Sequence, residues 1–164
     1  RDGVSLTVAN TRRNLPEALS PQIKSTNFLN NILAKRESIA AGTFDSLFLN
    51  WKDELTECTV SNLFFISGKT LHTPALDCGI LDGITRTIVM TLAQEEGVPV
   101  REGHYHLADL QRAEECFLTN TSMEIMPVNR VDSFAIGDGR PGSLTRRLQT
   151  RFADSRTRFL EPPS

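Results

Sequence analysis

The stretch "LTECTVSNLFFISG", residues 55–68, runs almost directly into "TLHTP", residues 70–74, and its reading decides the fold. β-Branched and aromatic residues fill it, and the breaks between runs fall at turn-forming residues. "SLFLN", residues 46–50, adds a further apolar run just upstream. Connections this short join strands into antiparallel hairpins, whereas parallel neighbours need long crossovers.

Outward from this block, residues 4–9 read as a strand and "NLPEALSPQIK", residues 14–24, as a loop punctuated by two prolines. From Ser25 the apolar positions Phe28, Leu29, Ile32, Leu33 and Ile39 recur at helical spacing, with Gly42 as the expected C-cap. "GITRTIVMTLAQEEG", residues 83–97, reads as a second helix with Ile84, Ile88, Val89 and Leu92 on one face and Gly97 ending it. "VPVREGHYH" is strand-like, "LADLQRA" a short helix, "ECFLTNT" a strand and "EIMPVNRVDSFAIG" two strands around a turn. "GSLTRRLQTRF" closes the chain as a helix. Helices interleaved with hairpins predict an α/β domain with a mixed sheet, not a doubly wound parallel one. Residues 1–160 read as one domain and "EPPS", residues 161–164, as a disordered tail.

A chain of 164 residues suffices for one ordinary core. With a net charge of −2 it offers no general attraction for nucleic acid or an anionic membrane. No apolar run approaches the roughly 20 residues that span a bilayer. The first residues, "RDGVSLTVANTRRN", have neither an initiator Met nor a signal-type apolar segment and read as the middle of a longer protein. Cys58, Cys78 and Cys116, odd in number and irregular in spacing, fit reduced thiols in a cytoplasm.

Three features carry candidate chemistry. Lys24 stands just ahead of an amphipathic run; a surface cation is the plain reading, but the positive end of a helix dipole would depress an amine's pKa, as carbonyl chemistry requires. Glu57 interrupts an uncharged β run; in alternation it shares a face with Leu55 and Thr59, which on sequence alone favours the exposed face of an edge strand over a carboxylate meeting a cation. "CGILDGITR", residues 78–86, sets glycines before a helix start with Thr85 in the first turn, an arrangement that can cradle phosphate or be an ordinary loop. Zinc is not expected of His104, His106 and the cysteines, because neither CxxC nor HxxxH is present. Cys58 reads as an inert strand thiol, "GDGRPG" as a tight turn, and "TRRLQTRFADSRTRF" as a solvated helix face. Lysine, carboxylate and phosphate cradle together describe pyridoxal 5'-phosphate.

The pieces "IKSTNFLNNILAK", "LTECTVSNLFF", "TPALDCGILDGITR", "ECFLTNTSMEIMPV" and "IGDGRPGSLTRRLQ" occur in an order and at spacings that resemble the larger, C-terminal domain of the class IV (fold type IV) pyridoxal-phosphate enzymes. That family contains branched-chain and D-amino-acid aminotransferases and aminodeoxychorismate lyases. The resemblance implies a mixed-sheet pseudo-barrel without the family's smaller N-terminal domain, which completes the substrate pocket and lends an arginine to the phosphate. It implies that Lys24 forms the Schiff base and shuttles the α-proton, and that Glu57 pairs with the pyridine nitrogen. Gly83, Ile84 and Thr85 would take the phosphate with Thr121 as a second contact, and Leu81 would pack on the ring. Phe28 stands where many relatives carry a tyrosine whose hydroxyl meets the cofactor, so that contact is absent here or supplied by another residue. The activity implied is transamination of a branched-chain or D-amino acid to a 2-oxo acid. The alternatives are release of pyruvate from aminodeoxychorismate, toward which "FLTNTSMEIMPV" leans, and a non-catalytic fragment. A homodimer is expected by resemblance.

Overall fold

The computed structural model describes residues 2–155 and Arg158, so the tail expected at 161–164 lies outside the described residues. In chain order the elements are β1 (Val4–Val8), α1 (Leu29–Ala41), β2 (Asp45–Leu49), β3 (Leu55–Cys58), β4 (Asn62–Ser67), β5 (Thr70–Pro74) and a 3-10 turn (Leu76–Cys78). There follow α2 (Ile84–Glu95), β6 (Val100–Gly103), α3 (Leu107–Gln111), β7 (Glu115–Asn120), β8 (Glu124–Val131), β9 (Phe134–Ala135) and α4 (Ser143–Asp154). The strands form one sheet in the order β3-β2-β1-β8-β7-β4-β5-β6, with β9 on β8. β1 lies parallel to β2 and β8, and β5 parallel to β6, while the 55–74 block forms antiparallel hairpins as its short turns require. A further pairing of β3 with β4, at Glu57 and Asn62, closes six of the strands into a ring. The mixed-sheet pseudo-barrel is therefore observed.

Alternation along the strands sorts side chains into two layers. Leu6, Leu47, Leu63, Phe65, Leu118, Met126 and Val128 fill the inside of the ring. Phe64, Ile66, Phe117 and Ile125 point outward and are covered by Val89 and Leu92 of α2 and Leu148 of α4; the Phe64 and Phe117 rings stack with centroids 5.1 Å apart. α1 closes over β1 and β2 through a small-residue contact, Ala34 against Ala9 and Phe48.

That contact overturns the helical reading in two respects. α1 begins at Leu29, not Ser25, with no side chain capping it. Its buried residues are Ala34 and Ser38, whereas Phe28, Leu29, Ile32, Leu33 and Ile39 are exposed. The helix approaches the strands closely only along its small residues, which turns the bulky stripe outward. Gly42 ends α1 in the left-handed conformation, as expected. On α2, Val89 and Leu92 are buried, but Ile84 is 78% exposed because it opens the helix ahead of the packed turns. His104 and His106 lie past the end of β6 rather than on a strand face. No helix among the described residues is long and apolar enough to cross a membrane.

Glu115, a buried charge in an apolar strand, explains how α4 is held. Gly142 precedes α4 and offers no cap; Glu115 accepts hydrogen bonds from the amides of Leu144 (3.1 Å) and Thr145 (2.7 Å) and from the Thr145 hydroxyl (2.6 Å). It thereby satisfies the donors that a helix start leaves open. A Cβ at position 142 would collide with the Glu115 carboxyl, so the glycine is the counterpart of this cap. Glu115→Ala is expected to lower stability by about 2–3 kcal/mol, read as a shift of the urea midpoint.

Candidate active site

A cavity of about 410 Å³ opens between the loop ahead of α1, the β3–β4 turn, the start of α2 and the end of β7. Lys24, Glu57, Leu81, Gly83, Ile84, Thr85 and Thr121 all line it, brought together from positions nearly one hundred residues apart. Phe28 lines it as well.

Glu57 reaches this cavity by a departure from alternation. Between β2 and β3 the register steps from Leu47 opposite Cys58 to Leu49 opposite Leu55, so three residues' advance on β3 meets two on β2. This is a β-bulge, which re-aims the side chains beside it. Leu55 and Cys58 therefore both join the interior of the ring, and Glu57 turns to the cavity. The expected shared face of Leu55, Glu57 and Thr59 does not exist, and Glu57 is 5% exposed rather than on an open edge.

The buried carboxyl is held from three directions. Arg13 Nη2 donates to Oε1 at 2.5 Å; Asn62 Nδ2 and the Leu81 amide donate to Oε2 at 3.0 and 3.1 Å. Burial pushes the Glu57 carboxyl up to about 7, while the Arg13 charge, the Leu81 N–H and the Arg86 charge pull it down. Arg13 is buried too: its Nε donates to the Gly79 carbonyl (3.0 Å), its Nη1 to Asn31 Oδ1 (3.2 Å), and its guanidinium lies 5.3 Å from the Phe48 ring centre. Asn62 also donates to the Leu81 carbonyl at 2.8 Å, locking the loop before α2 to β4. The Asn62 Oδ1 lies so close to Gly83 that any Cβ there would collide with it.

The opposite wall suits an anion. α2 starts at Gly83 with no side-chain cap, leaving first-turn N–H groups at the cavity. Behind them Arg86, fully buried, pairs with Asp82 and Glu102 and donates to the Pro74 carbonyl, tying the helix start to β5 and β6. The hydroxyls of Ser61 and Thr119, both at the cavity, are buried without a hydrogen-bond partner, a state that native interiors rarely leave unfilled. Lys24 lies in irregular, exposed chain five residues ahead of α1, not at its start. The dipole of α1 therefore does not act at Lys24 as the sequence led one to expect. Among the described residues it is the one lysine at the cavity.

The arrangement can hold a phosphorylated heteroaromatic ring: anion at the α2 start and the hydroxyls, a protonated ring nitrogen at Glu57, and a carbonyl carbon facing the wall that Lys24 lines. No local pattern in the sequence marks Arg13, Asn62, Ser61 or Thr119 as site residues. "TRRN" showed only two cations ahead of a proline loop, and Ser61 and Asn62 passed as turn residues.

The sequence profile of the family described as amino-transferase class IV matches residues 1–131. A D-alanine aminotransferase of Listeria monocytogenes is 38% identical over 136 residues, covering 83% of this chain and 47% of its own length. An aminodeoxychorismate lyase of Bacillus subtilis is 37% identical over 142 residues, covering 87% and 48%. Among solved structures, a branched-chain amino acid aminotransferase from Thermobaculum terrenum in its PLP form superposes with a TM-score of 0.90 at 33% identity, over 94% of this chain and 51% of that one. The chain thus spans about half the length of the relatives it matches.

Above about pH 7, where Glu57 is ionised, breaking the Arg13–Glu57 pair leaves a buried charge alone, so Arg13→Met is expected to cost about 3–5 kcal/mol there. The double variant Arg13→Met/Glu57→Gln should lose less than the sum of the singles by denaturation. The folded carboxyl keeps its proton up to about 7, against 4.5 for the ordinary group, so folding takes up a proton between those values. This contribution to stability is complete below 4.5 and is lost as pH rises through 7. Glu57→Gln should therefore flatten the fall in urea midpoint between about pH 5 and about pH 8.

Proposed function

Because the chain belongs to the class IV amino-transferase family, we propose that it is the cofactor-bearing part of a pyridoxal-phosphate enzyme that converts an amino acid to its 2-oxo acid. The observation that carries the proposal is the convergence of Lys24, Glu57, the 83–85 turn and Thr121 on one cavity. The solved relative named for its PLP form, and relatives named for branched-chain and D-alanine transamination, support the cofactor and the substrate class.

Pyridoxal phosphate, when bound, supplies an aldehyde carbon that accepts an amine and a ring that draws electrons from the substrate's α-carbon. The chain's own residues do the rest. Lys24 Nζ would be the amine that meets that aldehyde and the base that carries the substrate's α-proton. Glu57 would hold the proton on the ring nitrogen; Arg13, by occupying Oε1, favours the carboxylate form that this requires. The N–H groups of Ile84 and Thr85 and the hydroxyls of Thr85 and Thr121 would hold the phosphate, with Ser61 and Thr119 as further donors there. Leu81 would pack against the ring, and its backbone is pinned to Glu57 and Asn62. Phe28 leaves the ring oxygen without a phenol partner.

We further propose a homodimer in the cytoplasm. The apolar face of α1, Leu29, Ile32, Leu33 and Ile39, forms a patch that only another surface can bury. The three cysteines are free, as in a reducing compartment.

Borohydride added to the full-length protein with pyridoxal phosphate should fix the cofactor on Lys24, detected by mass on that peptide and absent in Lys24→Ala. Labelling at another lysine overturns the assignment. Glu57→Ala should lower turnover further than cofactor retention; unchanged turnover would remove Glu57 from the chemistry. Pyruvate release from aminodeoxychorismate, without 2-oxo acid formation from amino acids, would favour the lyase reading.

A further inference from the structure

Away from the cavity, three segments distant in sequence meet at a second group of donors. Glu54 lies just before β3, Cys78 ends the 3-10 turn, and His104 follows β6. Glu54 Oε1 stands 3.1 Å from His104 Nδ1, and Cys78 Sγ stands 3.5 Å from the same nitrogen. All three ligand atoms lie within 4.8 Å of one another. We propose that Glu54, Cys78 and His104 bind a divalent cation of the zinc class, independently of the function assigned above.

The donor spacing supports this directly. Tetrahedral zinc, with bonds of about 2.0 Å to nitrogen or oxygen and about 2.3 Å to sulfur, holds N and O roughly 3.3 Å apart and N and S roughly 3.5 Å apart. Two of the three edges therefore already have the required length. A thiol, an imidazole and a carboxylate make a mixed set that suits zinc or cobalt and is poorly matched to magnesium or calcium, which take oxygen ligands.

Outer partners hold each ligand in place. Asn50 Nδ2 donates to Glu54 Oε2 at 2.7 Å and to the Cys78 carbonyl at 3.2 Å. Asp77 Oδ2 lies 3.4 Å from His104 Nε2. A neutral imidazole donates from one nitrogen only. Without a cation the ring donates to Glu54 or to Asp77 according to its tautomer; a cation on Nδ1 selects the Nε2–H form, whose hydrogen faces Asp77. This is the carboxylate–histidine–metal arrangement of zinc centres. Cys78 and Glu54 are buried while His104 is exposed, which leaves an entry side and room for a fourth ligand from solvent.

The site also touches the cavity through one loop. Gly79, next to Cys78, accepts from Arg13, and Leu81 donates to Glu57. A cation at Cys78 clamps the front of the segment whose end starts α2.

The full-length protein without a histidine tag, stripped of metal and reduced with a phosphine, can be titrated with Co²⁺ alone. One equivalent should bind with a thiolate-to-cobalt charge-transfer band, and Zn²⁺ should raise Tm. Cys78→Ser and the surface variant His104→Gln should each abolish the band, and Asp77→Asn should weaken binding roughly tenfold. No band in the unaltered protein at a tenfold excess of Co²⁺ overturns the proposal, as does a band that survives Cys78→Ser and so belongs to Cys58 or Cys116.

Discussion

The Glu57 carboxyl sits at the seam where β3 meets β4, and there it takes hydrogen bonds from Arg13, Asn62 and the Leu81 amide. A carboxylate removed from water costs several kcal/mol unless its oxygens are occupied. The three donors that occupy them come from three different parts of the chain: the loop after β1, the first residue of β4 and the loop before α2. Satisfying one charge therefore sets the positions of all three around the cavity. The same seam closes the six-stranded ring, so the barrel and the cavity share a single joint.

A bulge makes that joint possible. Regular alternation would place Glu57 on the same face as Leu55, inside the ring, where nothing could satisfy it. The extra residue in β3 lets Leu55 and Cys58 keep the interior while Glu57 faces the cavity. Nothing in "LTEC" announces this, because a bulge is a property of the register between two strands. The outward stripe of α1 escaped for a related reason. Its periodicity identified the helix, but which face is buried depended on the close approach of Ala34 to Phe48.

The segment from Ala75 to Gly83 links the features that carry chemistry. Its first half holds Cys78 beside Glu54 and His104; its second half supplies the Gly79 carbonyl, the Leu81 amide and the uncapped start of α2. Asn50 binds the front of this segment and Asn62 the back, each through one side-chain amide donating to a backbone carbonyl. Arg86 anchors the helix that follows it. Loops so heavily tied are rigid platforms, and groups displayed on them hold their geometry before any ligand arrives.

Local pattern by itself determined the hairpins of residues 55–74, the helices at 84–95 and 143–154, the glycine ends of the first two helices and the mixed sheet. Turn chemistry and hydrophobic period act over a few residues and are written in neighbouring letters. The order of short motifs also determined the family and pointed to Lys24, Glu57 and the "GITR" turn. Only the tertiary structure decided that Glu57 is buried, that Arg13 and Asn62 hold it, and that Glu54, Cys78 and His104 converge. Those facts depend on contacts between residues 5 to 50 positions apart, whose geometry comes from strand register and loop path rather than from any local spacing.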